Sequence, residues 1–467
     1  MNNYLSFILI ILIIILFNTK INKKKLYIIL GITCLLLCLK KKNKKTYFIN
    51  LKTRKKITKD IGETIDYVLK NRNWIKLSSS EAKNIDKIDF IFTNINGKNN
   101  NKNKNKSQIS LRVSTEQENL FSNKKKLKDH FKHTEYFSDY FILNKLNIIK
   151  DINILYSFVK HNLSIKKIKK NSYLILKDPY GSLGKQILTF DHNNNSIIYK
   201  NEVKEYLKTF KSTYIILEEF LESITFKVPE LKFNNKQINY ETNFGRRSLI
   251  RFFIVILVRN NTTEIYKINN LFIYLAVLPS SNSIKKDILK PGSHITNFYL
   301  GSKFINNEKN NLTNKELYNI KLYRDLLYNN KYQKQLFTQL FCVSNNEFKR
   351  QYPEKLEIVN TKINNFIIEF SKVYHNEFIC KNNKNLNKES NCCFNIYAVD
   401  SILTKTNDFK ILEINSNPGN ITIHLQNIVK DVYNTENIFN DIFDLIENED
   451  IKTKNLTLIS KKKSSVI

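Results

Sequence analysis

Two short β-type segments late in the chain carry the side chains best suited to metal chemistry. The segment FKILEINSNPGN places Glu413 and Asn415 two residues apart, just before a Pro-Gly turn. Alternate side chains of a strand point to the same face, so these two are expected to share one. The preceding strand, CFNIYAVDSIL, carries Asp400, and a hairpin through the polar loop TKTND would bring Asp400 opposite Glu413.

Asp400, Glu413 and Asn415 therefore form a predicted Mg²⁺ site at one end of a sheet. Carboxylate and amide oxygens suit Mg²⁺, which takes the rest of its coordination shell from water and substrate phosphates. Such a set can also hold two ions that bridge adjacent phosphates. The alternative is an ordinary surface hairpin whose polar side chains bind nothing.

Two further segments carry cations suited to phosphate. YLILKDPYGSLGKQI ends a strand at Lys177 and continues into a loop with Gly184 and Lys185. A lysine at this point can meet phosphate as a point charge, although an exposed lysine in an ordinary turn is the alternative. RRSLIRFFIVILV places Arg247 and Arg251 four residues apart, hence on one face of a strand, where an arginine can hold phosphate or carboxylate bidentately.

Two more segments could line a binding site. TYIILEEFLE ends a strand in Glu218 and Glu219, and the link that follows could bind a base through backbone groups. GSHITNFYL carries Thr296 and Asn297 in a short polar window.

The elements that must position these side chains follow from hydrophobic periodicity. Strands are predicted at TYFINL, IDFIFTN, YLILKD, TYIILEEF, SLIRFFIVILV, LFIYLAVLP, CFNIYAVDSIL and FKILEIN. Helices are predicted at IGETIDYVLKNRN, at FSNKKKLKDHF with a cap at Ser122 or Asn123, at EKLEIVNTKINNFIIEFSKVYH, and from about Ile421 to Glu447. The lysine-rich face of FSNKKKLKDHF is expected to be solvated, and Gly97–Ser107 is expected to be a polar loop. This pattern predicts an α/β or α+β protein with antiparallel sheets, and the lack of GxGxxG and GxxxxGK[ST] argues against a doubly wound nucleotide fold.

Length and composition set the broad class. The 467 residues suffice for two or three domains, and Lys and Arg total 76 against 42 acids, a net charge of +34. The abundance of Asn, Lys and Ile indicates an AT-rich coding sequence as one source of this charge; whatever its source, the charge favours anionic partners. Acidic peptides, nucleic acid and anionic lipid all qualify, but no basic-plus-aromatic module indicates specific nucleic-acid binding. The six cysteines show no CxxC or Cys/His zinc spacing, which fits a reducing compartment.

The N-terminus carries two apolar runs, Tyr4–Phe17 and Leu26–Leu39, with lysine-rich flanks. Each run has 14 residues, which is about 21 Å as a helix against roughly 30 Å of hydrocarbon. A signal anchor, a shallow two-helix hairpin and a cleaved signal peptide are the alternatives. Because no small-x-small cleavage site closes the first run, we expect membrane contact through residues 4–39, with the following chain in the cytoplasm.

Taken in order, the motifs resemble one known family. Over about Thr46 to Leu445 the chain is similar to the tubulin-tyrosine-ligase-like branch of the ATP-grasp ligases. The motifs that carry the resemblance are, in order, K-x(6)-G-x-x-I, EEFL, R-x(3)-R-F-F-I-V, HITN and YAVD-x(12)-EIN-x-NPG. The resemblance implies an α+β, ATP-grasp fold, in which two α+β lobes clasp a nucleotide, after an N-terminal α/β domain. The expected division is 1–45 membrane anchor, 46–165 N-terminal domain, 166–240 central lobe, 241–450 C-terminal lobe with the metal site, and 451–467 basic tail.

The resemblance also implies residue roles. It implies Mg²⁺ ligands at Asp400, Glu413 and Asn415, catalytic roles for Arg251 and Lys177, and nucleotide contacts from Lys177, Gly184, Lys185, Glu218, Glu219, Phe220, Leu221, Arg247, Thr296 and Asn297. The chain departs from the family pattern in four places. Leu249 replaces an Asp, Gln186 breaks a G-x-G loop, Pro279 falls where an amino-acid-gripping arginine is usual, and Ala398-Val399 replaces Gly-Phe or Gly-Val.

The expected function is an ATP- and Mg²⁺-dependent ligase that adds a free amino acid (glutamate, glycine or tyrosine) to a protein carboxylate through an acylphosphate. Acidic tubulin tails are the leading acceptor. Leu249 and Pro279 motivate the alternative of a degenerate ATP-grasp protein that binds nucleotide or microtubules without turnover. A basic membrane-surface scaffold that binds nucleic acid is a third hypothesis.

Overall fold

The structure is a computed structural model of the chain. It describes residues 45–49, 56–84, 87–92, 106–111, 123–169, 173–180, 187–227, 231–233, 236–238, 245–259, 262–276, 278, 280, 342–377, 392–416, 434–448 and 451–463. The apolar segment 4–39 and the predicted site residues Gly184, Lys185, Thr296 and Asn297 lie outside these ranges, as do Gln186 and Pro279. Within them, no helix combines the length and the apolar character needed to cross a membrane.

The strands are β1 (Thr46–Ile49), β2 (Ile75–Lys76), β3 (Lys87–Phe92), β4 (Lys106–Leu111), β5 (Tyr140–Asn144), β6 (Leu174–Lys177), β7 (Ile187–Phe190), β8 (Tyr214–Glu219), β9 (Thr225–Phe226), β10 (Leu231–Phe233), β11 (Lys236–Ile238), β12 (Arg246–Arg259), β13 (Thr262–Ile268), β14 (Phe272–Leu275), β15 (Cys342–Val343), β16 (Cys392–Leu403), β17 (Phe409–Ser416) and β18 (Leu456–Lys463). The helices are α1 (Lys56–Asn71), α2 (Glu81–Asn84), α3 (Lys124–His130), α4 (Lys145–Lys150), α5 (Asn153–Ser164), α6 (Ile197–Lys208), α7 (Asn345–Gln351), α8 (Pro353–Glu377) and α9 (Thr435–Glu447).

Twelve strands form the large sheet, with the 14-residue β12 at its centre. Strand β12 pairs antiparallel with β13, β14 and β16, and β16 forms an antiparallel hairpin with β17. The continuous β-branched and aromatic run of β12 is typical of a strand covered on both faces.

Helices cover both faces of the large sheet. On one face α8 buries the predicted apolar stripe, namely Val359, Ile363, Phe366, Ile367 and Phe370, against β12 and its neighbours. On the other face α1 and α9 share one core with alternate residues of β12 and β16. The apolar stripes of the helices, with a period of 3.6 residues, thus pack against alternate side chains of the strands in one helix–sheet–helix sandwich.

The small sheet has four strands in the order β5-β8-β6-β7, all paired antiparallel. Its core includes apolar side chains of α4, α5 and α6. Strand β5 and helices α4 and α5, which lie within the expected N-terminal domain 46–165, therefore pack with β6, β7 and β8.

Two other segments differ from expectation. The N-terminal strands extend the large sheet, because β4 pairs parallel with β16, and β4 begins at Lys106, inside the predicted loop. The expected basic tail contains β18, which pairs antiparallel with β13 and buries Leu456 in the core. The architecture is mixed α+β with several sheets, as predicted.

Candidate functional site

The metal-site prediction depends on the hairpin of β16 and β17, whose register brings its two acids together beside an arginine of β12. Arg251 on β12 lies opposite Asp400 on β16, and Asp400 lies opposite Glu413 on β17. A bulge between Asp400 and Ser401 interrupts the β16–β17 pairing at this point. The hairpin predicted from the sequence thus forms, and it places two acids and an arginine side by side.

Arg251 and Asp400 form a bidentate ion pair, in which the carboxylate is buried and the arginine is partly exposed. Arg251 Nε donates to Asp400 Oδ1 at 2.5 Å, and Nη2 donates to Oδ2 at 2.6 Å. The guanidinium also lies over the ring of Tyr274, 5.2 Å from its centroid. Burial raises the pKa of Asp400 to about 6, although the charge of Arg251 acts to lower it.

Glu413 and Asn415 extend this cluster along β17. Asn415 Nδ2 donates to Glu413 Oε1 at 2.9 Å and lies 3.5 Å from Asp400 Oδ2. Lys124 Nζ approaches Glu413 Oε2 to 3.5 Å. Burial alone would raise the pKa of Glu413, but Lys124 and the Asn415 hydrogen bond lower it to about 2. Glu413 is therefore an ionised acceptor at neutral pH.

The opposite wall belongs to the small sheet and α3. Glu218 on β8 contacts Lys177 on β6 through Oε1 and Lys128 on α3 through Oε2, the latter at 2.5 Å. Burial lowers the pKa of Lys177, as do the charges of Lys128 and Lys124, whereas Glu413 acts to raise it. The charges of the two walls therefore interact with each other, and we call the residues that carry them the charged cleft. They are Lys124, Lys128, Lys177, Glu218, Arg251, Asp400, Glu413 and Asn415.

Lys124 and Lys128 are functional candidates that the sequence prediction missed. The lysine-rich face of α3 was expected to be solvated, and for these two residues that was wrong, since their side chains are only 11% and 4% exposed. Asn123 caps the helix by accepting from the backbone N–H groups of residues 125 and 126. The spacing of four puts Lys124 and Lys128 on one helix face. The flanking apolar residues Leu127 and Phe131, both buried, were the available signal that the helix packs inward.

An apolar cavity of about 120 Å³ adjoins the charged cleft. One wall is the link between the small and large sheets, from Glu218 to Leu221, and the other comes from β12, β16 and β17. The apolar side chains of its lining include Ile175, Ile187, Phe220, Leu249, Ile402 and Leu412. The link is held to the β16–β17 hairpin by a bridge between Ser223 and Thr404. Size and lining suit a flat, aromatic group such as a nucleobase.

Arg247 lies beside this cavity and away from the acids. Four residues along β12 separate it from Arg251, which is about 13 Å of strand. Its Nη1 is 3.1 Å from Glu222 Oε1, and its guanidinium lies over the ring of Phe220, 5.8 Å from the centroid. Arg247 therefore supports the link between the sheets, at the end of the site remote from Asp400.

The predicted residues within the described ranges fall into two groups. The first group meets in the charged cleft and consists of Lys177, Glu218, Arg251, Asp400, Glu413 and Asn415. The second group lines the cavity and consists of Glu219, Phe220, Leu221 and Arg247. Glu219 also accepts from the backbone N–H of Lys169 at 3.0 Å. Leu249, where the family pattern has an acid, is one of the apolar residues of the cavity.

The donor set fits Mg²⁺ in a partial, substrate-completed site. The described ranges contain no group of three or more His, Cys, Asp or Glu side chains placed to hold a metal. Asp400 and Glu413 offer carboxylate oxygens, and a rotation of the Asn415 amide would present its oxygen in place of Nδ2. Three such oxygens leave coordination positions for water and phosphate, as Mg²⁺ requires.

Comparison with known proteins identifies no family for this chain. The chain matches no protein-family model and no curated protein.

Proposed function

We propose that this protein is an ATP- and Mg²⁺-dependent carboxylate–amine ligase with an ATP-grasp arrangement of its two sheets. One observation carries the proposal. Arg251, Asp400 and Glu413 occupy paired positions on three adjacent strands, and their cluster faces Lys177 and Glu218 of the small sheet. Acids on one wall and lysines on the other are what a metal–triphosphate complex needs.

In the proposed complex the nucleotide spans the apolar cavity and the charged cleft. Its base occupies the apolar cavity, between the link Glu218–Leu221 and the side chain of Leu249. Its phosphates extend into the charged cleft, where Lys177 and Lys128 supply positive charge. A magnesium ion bound by Asp400, Glu413 and Asn415 would neutralise charge on the β- and γ-phosphates.

The proposed reaction has two steps. An acceptor carboxylate oxygen attacks the γ-phosphorus, and the bond from that phosphorus to ADP breaks. The amine of the amino acid then attacks the acyl carbon, inorganic phosphate leaves with the C–O bonding electrons, and the nitrogen loses a proton. Arg251 lies beside the acids, where its charge would stabilise the transferring phosphoryl group. The reaction requires no side-chain nucleophile, which agrees with a site built from lysine, arginine and carboxylates.

The proposed substrates are a free amino acid (glutamate, glycine or tyrosine) and an acidic protein tail, with tubulin the first to test. A net charge of +34 supports an anionic partner through long-range attraction. We further propose that residues 4–39 hold the enzyme at a membrane, with the catalytic domain on the cytoplasmic side.

The test is an assay of the full chain with tubulin, ATP, Mg²⁺ and each radiolabelled amino acid in turn. The proposal predicts ADP release that depends on both the acceptor and one of the amino acids, with label incorporated into the acceptor. Binding of Mg²⁺–ATP without any ADP release would contradict ligase activity.

Such a result would favour the second candidate, a nucleotide-binding protein without turnover. The observation behind this candidate is Leu249, an apolar side chain in the cavity at the place where the resembled family has an acid. A Leu249→Asp variant separates the two candidates, since a gain of ADP release would identify the wild-type protein as the degenerate form.

A further inference from the structure

Glu218 is a buried carboxylate held between two buried lysines. Its side chain is 4% exposed, and those of Lys128 and Lys177 are 4% and 12% exposed. Oε1 contacts Lys177 Nζ and Oε2 contacts Lys128 Nζ, which also lies 3.4 Å from Ser138 Oγ. One carboxylate thus neutralises part of the charge of two ammonium groups that water does not reach freely.

The two lysines come from different parts of the fold. Lys177 ends β6 of the small sheet, next to Glu218 on β8. Lys128 belongs to α3, whose Leu127 packs in the core beneath the large sheet. Glu218 therefore joins the small sheet to a helix anchored on the large sheet, at the floor of the charged cleft. An ammonium group has three donors, so each lysine can hold Glu218 and still donate to another anion.

We propose that Glu218 is a positioning residue that holds Lys128 and Lys177 in their charged forms and directs both at the phosphates of a bound nucleotide. This inference rests on the proposed nucleotide site. Glu218 itself touches the lysines, and the lysines touch the phosphates.

The surroundings of the lysines explain why such a residue is needed. Around Lys128 lie Lys124, Glu218, Asp139, Ser138 and the rings of Phe137 and Tyr140, while Lys177 faces Lys124, Lys128, Glu218 and Glu413. Burial lowers the pKa of Lys128 to about 7 and that of Lys177 well below its usual range. Removing the charge of Glu218 takes away an attraction that favours the charged lysines, so both pKa values fall further. Each unit of pH above a lysine pKa reduces its charged fraction about tenfold.

The experiment measures the affinity of the full chain for Mg²⁺–ATP and for adenosine at about pH 6 and about pH 8. Glu218→Gln is compared with wild type, with the conservative Glu218→Asp, and with Glu205→Gln as the matched control. The Glu205 carboxylate lies on the exposed face of α6, where it pairs with Lys208, outside both the charged cleft and the cavity. Calorimetry in two buffers of different ionisation enthalpy reports the protons taken up on binding.

We expect Glu218→Gln to lose about tenfold or more of its Mg²⁺–ATP affinity at the higher pH, with a much smaller loss at the lower pH, and to take up more protons on binding. Glu218→Asp should be intermediate, and Glu205→Gln should match wild type. Adenosine affinity should be equal in all four proteins and independent of pH, since adenosine carries no phosphate.

Identical pH profiles and proton uptake in wild type and Glu218→Gln would overturn the inference and leave the proposed nucleotide site standing. If wild type binds neither adenosine nor Mg²⁺–ATP at any pH, both the inference and the proposed function are wrong. If Glu218→Gln loses adenosine binding, its fold is damaged. Glu218→Asp then decides, and a wild-type profile in that variant contradicts the inference.

Discussion

Arg251 and Asp400 face each other across the junction of β12 and β16, joined by two hydrogen bonds of 2.5 and 2.6 Å. The same register places Glu413 on the far side of Asp400. The strand pairing that builds the centre of the large sheet therefore also builds one wall of the charged cleft. Fold and site depend here on the same backbone hydrogen bonds. The effect of a substitution on stability must therefore be measured separately from its effect on activity.

Arg251→Met should lower the free energy of unfolding by about 3–5 kcal/mol, because it leaves a buried carboxylate without its cation. Adding Asp400→Asn to this variant removes the unpaired charge and should recover a large part of the loss. Chemical denaturation of the two single variants and the double variant measures this coupling. Strictly additive losses would show that the interaction between Arg251 and Asp400 contributes no coupling free energy to stability. Whatever its stability, the double variant should lack ligase activity.

Glu413→Gln should reduce kcat for ADP release by about 100-fold or more, because it removes an ionised ligand from the proposed metal site. The variant should stay folded, since the amide keeps the shape of the side chain, but its melting temperature should fall, because Lys124 and Asn415 lose an ionised partner. Glu357→Gln, on the exposed face of α8, is the matched control and should leave ADP release unchanged. Equal ADP release in the two variants would contradict the role of Glu413.

Leu249→Trp should fill the apolar cavity and weaken binding of adenosine and of ATP by about tenfold or more, an energy of roughly 1.4 kcal/mol. Inorganic triphosphate should bind as it does to wild type, because the charged cleft is unchanged. Fluorescence or calorimetric titration measures all three ligands. Leu458→Trp, at an exposed leucine of β18, controls for the added indole. Unaltered adenosine binding in Leu249→Trp would place the base elsewhere.

The sequence predicts the hairpin and the α8 stripe because both depend on local periodicity. Asp400 and Glu413 flank a short polar loop, which predicts the hairpin, but the bulge between Asp400 and Ser401 sets the register that places the two acids opposite each other. The inward direction of Lys128 is different, since it depends on Glu218, which lies 90 residues further along the chain. Strand β18 was missed for a similar reason, because its lysine-rich end reads as solvated and only its pairing with β13 makes it a strand. Local pattern predicts elements, whereas pairing at long sequence separation decides where a charged side chain points.

Asp66 on α1 offers a test of the fold that is independent of the proposed function. Its carboxylate accepts from Tyr47 Oη at 2.9 Å and pairs with Lys70 and Lys76 at 2.8 and 2.9 Å. Burial alone would raise the pKa of Asp66, but these hydrogen bonds lower it below its usual value. A lowered folded-state pKa stabilises the protein above the unfolded value, about 3.9, and the stabilisation is lost as pH falls through the folded pKa.

Asp66→Asn should therefore be less stable than wild type at neutral pH, and the difference in unfolding free energy should shrink below about pH 4. Denaturation at several pH values measures it. Asp408→Asn, in the exposed hairpin loop, is the control. A difference that is constant across the pH range would contradict an ionic role for Asp66.

The proposed function requires that the oxygens of Asp400, Glu413 and Asn415 hold a divalent cation against a nucleotide in the charged cleft. Anomalous diffraction from crystals grown with Mn²⁺ and a non-hydrolysable ATP analogue tests this requirement. We expect an anomalous peak within about 2.2 Å of oxygens from these three side chains and from the analogue's phosphates, with the base beside Leu249. A peak at any other place, or a nucleotide bound outside the cleft, would contradict it.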